Sequence, residues 1–136
     1  MLDANLCICV LSGRLPELRA RFNAEAEALC ISTITLHELL HGAEKSANPA
    51  GGRRQVERFT SRLDVLPFDA AAAAHSADIR AALEREGRTI SPVDSLIAGH
   101  ARSRGLVVVA RNLREFSRIA GLRCEDWLTD QIPPAP

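Results

Sequence analysis

No stretch of this 136-residue chain comes near the roughly 20 uninterrupted apolar residues that a membrane-spanning helix needs. Nor does its start read as a signal peptide, because Asp3 interrupts the first apolar segment and no basic residue precedes it. Net charge is missing too. Seventeen Lys and Arg balance seventeen Asp and Glu, so composition by itself projects no basic field toward a nucleic acid. Lysine is nearly absent, Lys45 being the only one. The remaining cations are arginines, whose planar fork suits phosphate, so a local basic rim around an acidic site is compatible with zero net charge. Cysteine occurs only at positions 7, 9, 30 and 124, and Cys7 and Cys9 have no second close pair to complete a structural zinc site. A chain this long folds without disulfide staples, so reduced thiols and a cytoplasmic location are the expectation.

What the chain does have is a 46% apolar composition and a length that removes roughly 70% of the unfolded surface from water. One domain is expected over residues 1–128, followed by a proline-rich tail, 129–136, expected to be disordered. The apolar segment Asn5 to Leu11 stops at Ser12-Gly13, and Pro16 opens a helix to about Ala26. Leu29-Cys-Ile31 reads as a short strand, and Ser32-Thr33 caps a helix from Ile34 to Glu44. Ser46 to Gly52 reads as a turn-rich break, the most flexible part of the fold. Val56, Phe59 and Leu63 then recur at helical spacing, before a short strand, Val65-Leu-Pro-Phe68, whose proline belongs at an edge or a strand end.

Asp69 caps a helix to Glu86 with Ala72, Ser76, Ile79 and Leu83 as its inward stripe. Ser91-Pro92 opens another, to Arg104. Leu106 to Ala110 is the clearest strand, continuously apolar like the centre of a parallel sheet, and Leu122 to Cys124 adds a last one. This alternation predicts an α/β fold, a three-layer α/β/α sandwich around a central parallel sheet. Function is then expected at the carboxyl ends of the strands.

That rule selects acids. Asp3 follows the first apolar residues, Glu38 sits among leucines on a helix, Asp94 lies in the first turn after the Ser91 cap, and Glu115 follows the best strand. The first three have an ordinary reading as well: Asp3 or Asn5 as a plain helix cap, Glu38 as a margin residue reaching solvent, Asp94 as the acid of a capping box. Gathered at one sheet edge, the four would repel unless a hard cation neutralised them, and magnesium or manganese prefers such oxygen ligands. Such an ion activates water for attack on phosphorus, so phosphodiester hydrolysis is the chemistry expected. Arg88, Arg111 and Arg114 are candidates to hold a negative backbone, each of them also readable as solvated surface charge.

Four runs carry a resemblance. Leu2-Asp3-Ala4-Asn5, Ile31-Ser-Thr-Ile-Thr-Leu-His-Glu38-Leu-Leu-His-Gly42, Ser91-Pro-Val-Asp94-Ser-Leu-Ile-Ala-Gly-His-Ala101 and Arg111-Asn-Leu-Arg-Glu-Phe116 resemble the ordered motifs of the PIN-domain ribonucleases, in particular the VapC toxins, over about residues 1–128. The resemblance implies that Asp3, Glu38 and Asp94 form a metal-binding acidic pocket, with Glu115 completing it and Asn112 beside it. It also implies a magnesium- or manganese-dependent endoribonuclease, a homodimer, acting on RNA such as tRNA or ribosomal RNA and blocked by a small antitoxin protein. One position departs from the pattern: Ala4 stands where the family usually carries a hydroxyl residue.

Two rival readings use other features. His37-Glu38-Leu-Leu-His41 satisfies the pattern of a zinc metalloprotease, but the remaining histidines, His75 and His100, lie in no convincing third-ligand motif. Ala4 favours a catalytically weakened descendant that only binds. For a partner, the apolar side of the 34–44 helix together with Leu18 and Phe22 suggests a groove for an amphipathic helix, the alternative being that both faces simply complete the core.

Overall fold

The computed structural model describes residues 1–111 and 113–127; Asn112 and the expected tail lie outside the described residues. In chain order the elements are α1 (Ala4–Ser12), α2 (Pro16–Glu25), β1 (Cys30–Ser32), α3 (Thr33–Glu44), α4 (Pro49–Thr60), β2 (Asp64–Leu66), α5 (Ala70–Arg85), α6 (Pro92–Ser103), β3 (Val108–Ala110) and β4 (Cys124–Asp126). Parallel ladders join β1 to β2 and β3 to β4. Met1 and Leu2 link the two halves. Leu2 N donates to Cys30 O at 2.9 Å on one side, while on the other Val109 N donates to Met1 O at 2.8 Å and Asp3 N to Val109 O at 3.0 Å. The order across the sheet is therefore β2, β1, Met1–Leu2, β3, β4. The chain winds outward one way through β1 and β2, then crosses over to β3 and β4, so the order reverses beside Leu2.

The alternation of side chains along these strands builds two cores. Leu2, Ile31, Val65 and Val109 point into a cluster with α1 to α4, where Phe22 stacks on Phe59 at 4.7 Å between ring centroids and Trp127 is buried. Met1, Cys30, Leu66, Val108 and Ala110 point the other way, into a cluster with Ile79 and Leu83 of α5 and Ile97, Ala98 and Ala101 of α6. Helices therefore cover both faces, as the sandwich requires. Burying each large aliphatic or aromatic side chain contributes about 1.5–3 kcal/mol, enough to hold strands only three residues long. On α5 the expected stripe of Ala72, Ser76, Ile79 and Leu83 is buried. Gly99 of α6 lies directly against Ser76, leaving no room for a Cβ.

One segment differs from its expectation. Within 46–52 the break is confined to 46–48, and 49–52 already form the first turn of α4. Asn48 caps α4 by accepting from Gly51 N at 3.1 Å, and Pro49 sits at the first helical position, where its missing N–H costs nothing. Gly51 and Gly52 belong to that turn because a Cβ on Gly51 would lie 2.5 Å from Asn48 Nδ2, and one on Gly52 2.9 Å from Ala43 Cβ. All four cysteines are free, Cys7 fully buried and the others half-buried. Among the described residues no helix is long and apolar enough to cross a membrane.

Candidate active site

The carboxyl end of the Met1–Leu2 segment meets that of β3 where the strand order reverses, the position at which open α/β sheets present a crevice. A cleft of about 430 Å³ opens there, lined by Asp3, Glu38, Asp94 and Glu115 together with Arg111 and Arg114. The four acids come from four separate elements. Asp3 leaves the sheet and caps α1, its Oδ1 accepting from Leu6 N at 2.8 Å, so the capping role and the cleft position coexist. Asp3 is only 4% exposed. Burial pushes its carboxyl up to about 6, against the opposing pull of the Leu6 N–H and of the Arg111 guanidinium.

Asp94 enters from the first turn of α6, where Ser91 caps the helix by accepting from Asp94 N at 3.2 Å. Its carboxyl is pushed up to about 7 by burial, then by a hydrogen bond to Glu115 and by the charges of Glu115 and Asp3. A hydrogen bond with Ser91 acts in the opposite direction. Glu115 is half-buried and precedes the short 3-10 turn Phe116–Arg118. Glu38 reaches the cleft from α3 with 34% of its side chain exposed.

The arginines divide. Arg111 lines the cleft and donates from Nη1 to Cys9 Sγ at 2.9 Å, and Arg114 stands on the same rim. Arg88 does not line it; it follows α5 and lies 3.8 Å from Glu86 instead. Ser91 as a partner of Asp94, and Ile8, Val93 and Phe116 as apolar cleft wall, were not singled out from sequence as site residues. The capping motif around Ser91 carried a signal for the first. The apolar three carried none, since nothing in their neighbourhood distinguishes wall from core.

Leu18 and Phe22 complete the core, and Phe22 also lines a separate cavity of about 380 Å³ with Val10, Leu11 and Phe59, away from α3. The apolar groove next to α3 runs instead between α1, α3 and α4. It encloses about 600 Å³, with Ile8, Leu11, Leu39, Ala43 and Val56 among its lining residues and Glu38 at its margin.

Among the described residues no three Asp, Glu, His or Cys side chains are drawn close enough to cage an ion. His75 is bonded to Arg102 and His100 is fully buried, so neither supplies a third ligand to the His37 and His41 pair. The cleft's potential ligands, four carboxylates with the Asn5 amide and the Ser91 hydroxyl, offer oxygen donors, the kind a hard divalent cation takes. The raised Asp3 and Asp94 mark negative charge that the cleft's own cations leave uncompensated.

Residues 1–122 match the PIN domain. The chain belongs to this family and, within it, to the VapC proteins. It is 53% identical over 127 residues to the tRNA(fMet)-specific endonuclease VapC of Shigella flexneri, covering 93% of this chain and 96% of that one. To ribonuclease VapC2 of Haemophilus influenzae it is 45% identical over 128 residues, covering 94% and 97%. Among solved structures, the DNA-bound VapBC complex of Salmonella typhimurium superposes with a TM-score of 0.88 at 54% identity, covering 93% and 96%.

Proposed function

We propose that this chain is a divalent-cation-dependent endoribonuclease that cuts tRNA and is held inactive by a small antitoxin protein in the cytoplasm. The observation that carries the reading is the meeting of Asp3, Glu38, Asp94 and Glu115 in one cleft beside Arg111 and Arg114. The substrate class follows the relatives named tRNA(fMet)-specific endonucleases. Asp3, Glu38, Asp94 and Glu115 would hold Mg2+ or Mn2+, which when bound neutralises the carboxylates, stabilises charge on the phosphoryl oxygens and makes water a stronger nucleophile.

The chain's own groups then position the rest. Asp94 is held in direction within the cleft by its interactions with Glu115 and Ser91. Asp3 is locked by the Leu6 N–H and cannot swing away. The Arg111 and Arg114 forks hold the phosphodiester on the rim, while Val93 and Phe116 form an apolar wall that limits bulk water. An antitoxin helix fits the groove between α1, α3 and α4, where Ile8 is 50% exposed. Because Ile8 and Glu38 line both groove and cleft, its occupant also covers the acids.

The test is incubation of partner-free protein with total tRNA, in Mg2+ or Mn2+ and in EDTA. Two discrete fragments from one tRNA species are expected with metal, and intact RNA in EDTA. Ala4, which lends no hydroxyl to the cleft it lines, carries the binding-only reading. Intact tRNA under every condition, from folded protein that still binds it, would favour that reading.

A further inference from the structure

We propose that His37 and His41 form a second cation site on the outer face of α3, distinct from the acidic cleft, which takes a late first-row divalent ion such as Zn2+ or Cu2+. Their four-residue spacing places both imidazoles on one helical face, one turn apart. The rings stand 6.2 Å apart between centroids with planes inclined by 22°. A zinc–imidazole bond of about 2.0–2.1 Å puts each ring centroid about 3 Å from the ion, and two ligating rings about 5–6 Å apart. The near-parallel rings must turn to aim one nitrogen each at a shared ion, and both have room to do so, since His41 is exposed and the His37 side chain is 77% exposed.

Glu38 adds the second element of such a site. Its carboxylate lies 3.5 Å from His37 Nδ1, which leaves Nε2 for an ion. A carboxylate on the far ring nitrogen is the usual partner of a metal-bound histidine. Ligand type separates the two sites. Imidazole pairs suit zinc, copper and nickel, whereas a carboxylate cleft suits magnesium and manganese. With two protein ligands and water in the other positions, the site is exchangeable, and it lacks the third ligand of a protease centre.

Glu38 belongs to both places, because it also lines the cleft. An ion on His37 and His41 draws that carboxylate toward His37 and away from the acids, so zinc on the outer face slows cleavage. This last step rests on the nuclease reading; the binding does not.

Titrating zinc chloride into tag-free protein by calorimetry tests the site. We expect one equivalent bound by the wild type, at least roughly tenfold weaker binding in His37→Ala and in His41→Ala, and about tenfold weaker binding in Glu38→Gln. Asp94→Asn should bind as the wild type does, and Cu2+ should bind more tightly than Zn2+. Zinc binding retained in both histidine variants, or lost in Asp94→Asn, overturns the proposal and places the ion in the acidic cleft. In a cleavage assay with excess Mg2+, the same zinc should slow the wild type and leave His41→Ala unaffected, whereas equal inhibition of both overturns the coupling. If the wild type cleaves nothing even without zinc, the nuclease reading and the coupling both fail, and the isotherm alone decides the site.

Discussion

Asp94 and Glu115 reach the same cleft from α6 and from the loop after β3, and their carboxyls hydrogen-bond to one another. Two carboxyls held this way favour keeping one proton between them, since their mutual repulsion and burial outweigh the stabilisation they receive. That cost lies in the native fold, so it should be measurable as stability.

Asp3 and Asp94 are raised from 3.8 to about 6 and about 7. Between about pH 4 and 7 the folded chain keeps protons that the unfolded chain releases, so stability is lost as pH rises through those two values. Raising a carboxyl's pKa by one pH unit corresponds to roughly 1.4 kcal/mol, and after a discount for the partial exposure of Asp94 the loss is on the order of a few kcal/mol. Melts in EDTA should show a higher Tm at pH 5.5 than at pH 8, and Asp94→Asn should reduce the difference. A Tm that climbs steadily over that range in both proteins would count against the coupled acids.

Much of this arrangement is legible in the sequence because the same residues carry local and global signals. Asp3 and Ser91 announce helix starts, and helix starts at strand ends are where a parallel sheet puts its crevice. Glycine and proline are misleading at 49–52, where Asn48 and Ala43 supply contacts that turn an apparent break into the first turn of α4. Leu18 and Phe22 look like an unpartnered stripe in one helix, but Phe59, from a helix more than 30 residues on, is what buries Phe22. Such a pairing has no local signature.

Arg111 and Arg88 are equivalent candidates in the sequence, and the fold separates them. Arg111→Ala should lower kcat/KM by about tenfold, mostly through KM, because it removes a phosphate fork from the rim. Arg88→Ala should stay within about twofold. Steady-state kinetics on one tRNA substrate distinguishes them, and equal losses would mean that the RNA extends well beyond the cleft.

Gly99→Ala should destabilise the fold by about 2 kcal/mol or more. The new Cβ would overlap the backbone N and Cα of Ser76, which forces α5 and α6 apart. The gain in helix propensity, about 1 kcal/mol, is too small to offset this. Urea unfolding gives the value directly, and a stabilised variant would show that the two helices separate at little cost.

His100 is fully buried beneath the edge of Phe68 at 5.5 Å, and neither ring nitrogen has a partner among the described residues. Burial first, and then the Arg104 charge, hold its pKa below 6.5 against the opposing effect of Asp69. The unfolded imidazole therefore takes a proton that the folded one refuses, and stability is lost as pH falls below about 6.5. His100→Leu should stabilise by about 1–2 kcal/mol at pH 7, and by more at pH 5. Chemical denaturation at the two pH values checks both the sign and the trend.

If the four carboxylates work as one metal-dependent centre for RNA cleavage, Asp94→Asn removes it most directly. Partner-free wild-type and variant proteins are incubated with tRNA and Mg2+ or Mn2+, with folding monitored by circular dichroism. Cleavage by the wild type that EDTA abolishes is expected, with a rate at least about a hundredfold lower in a variant that melts no earlier in EDTA. A folded Asp94→Asn protein that cuts tRNA as fast as the wild type would contradict that reading.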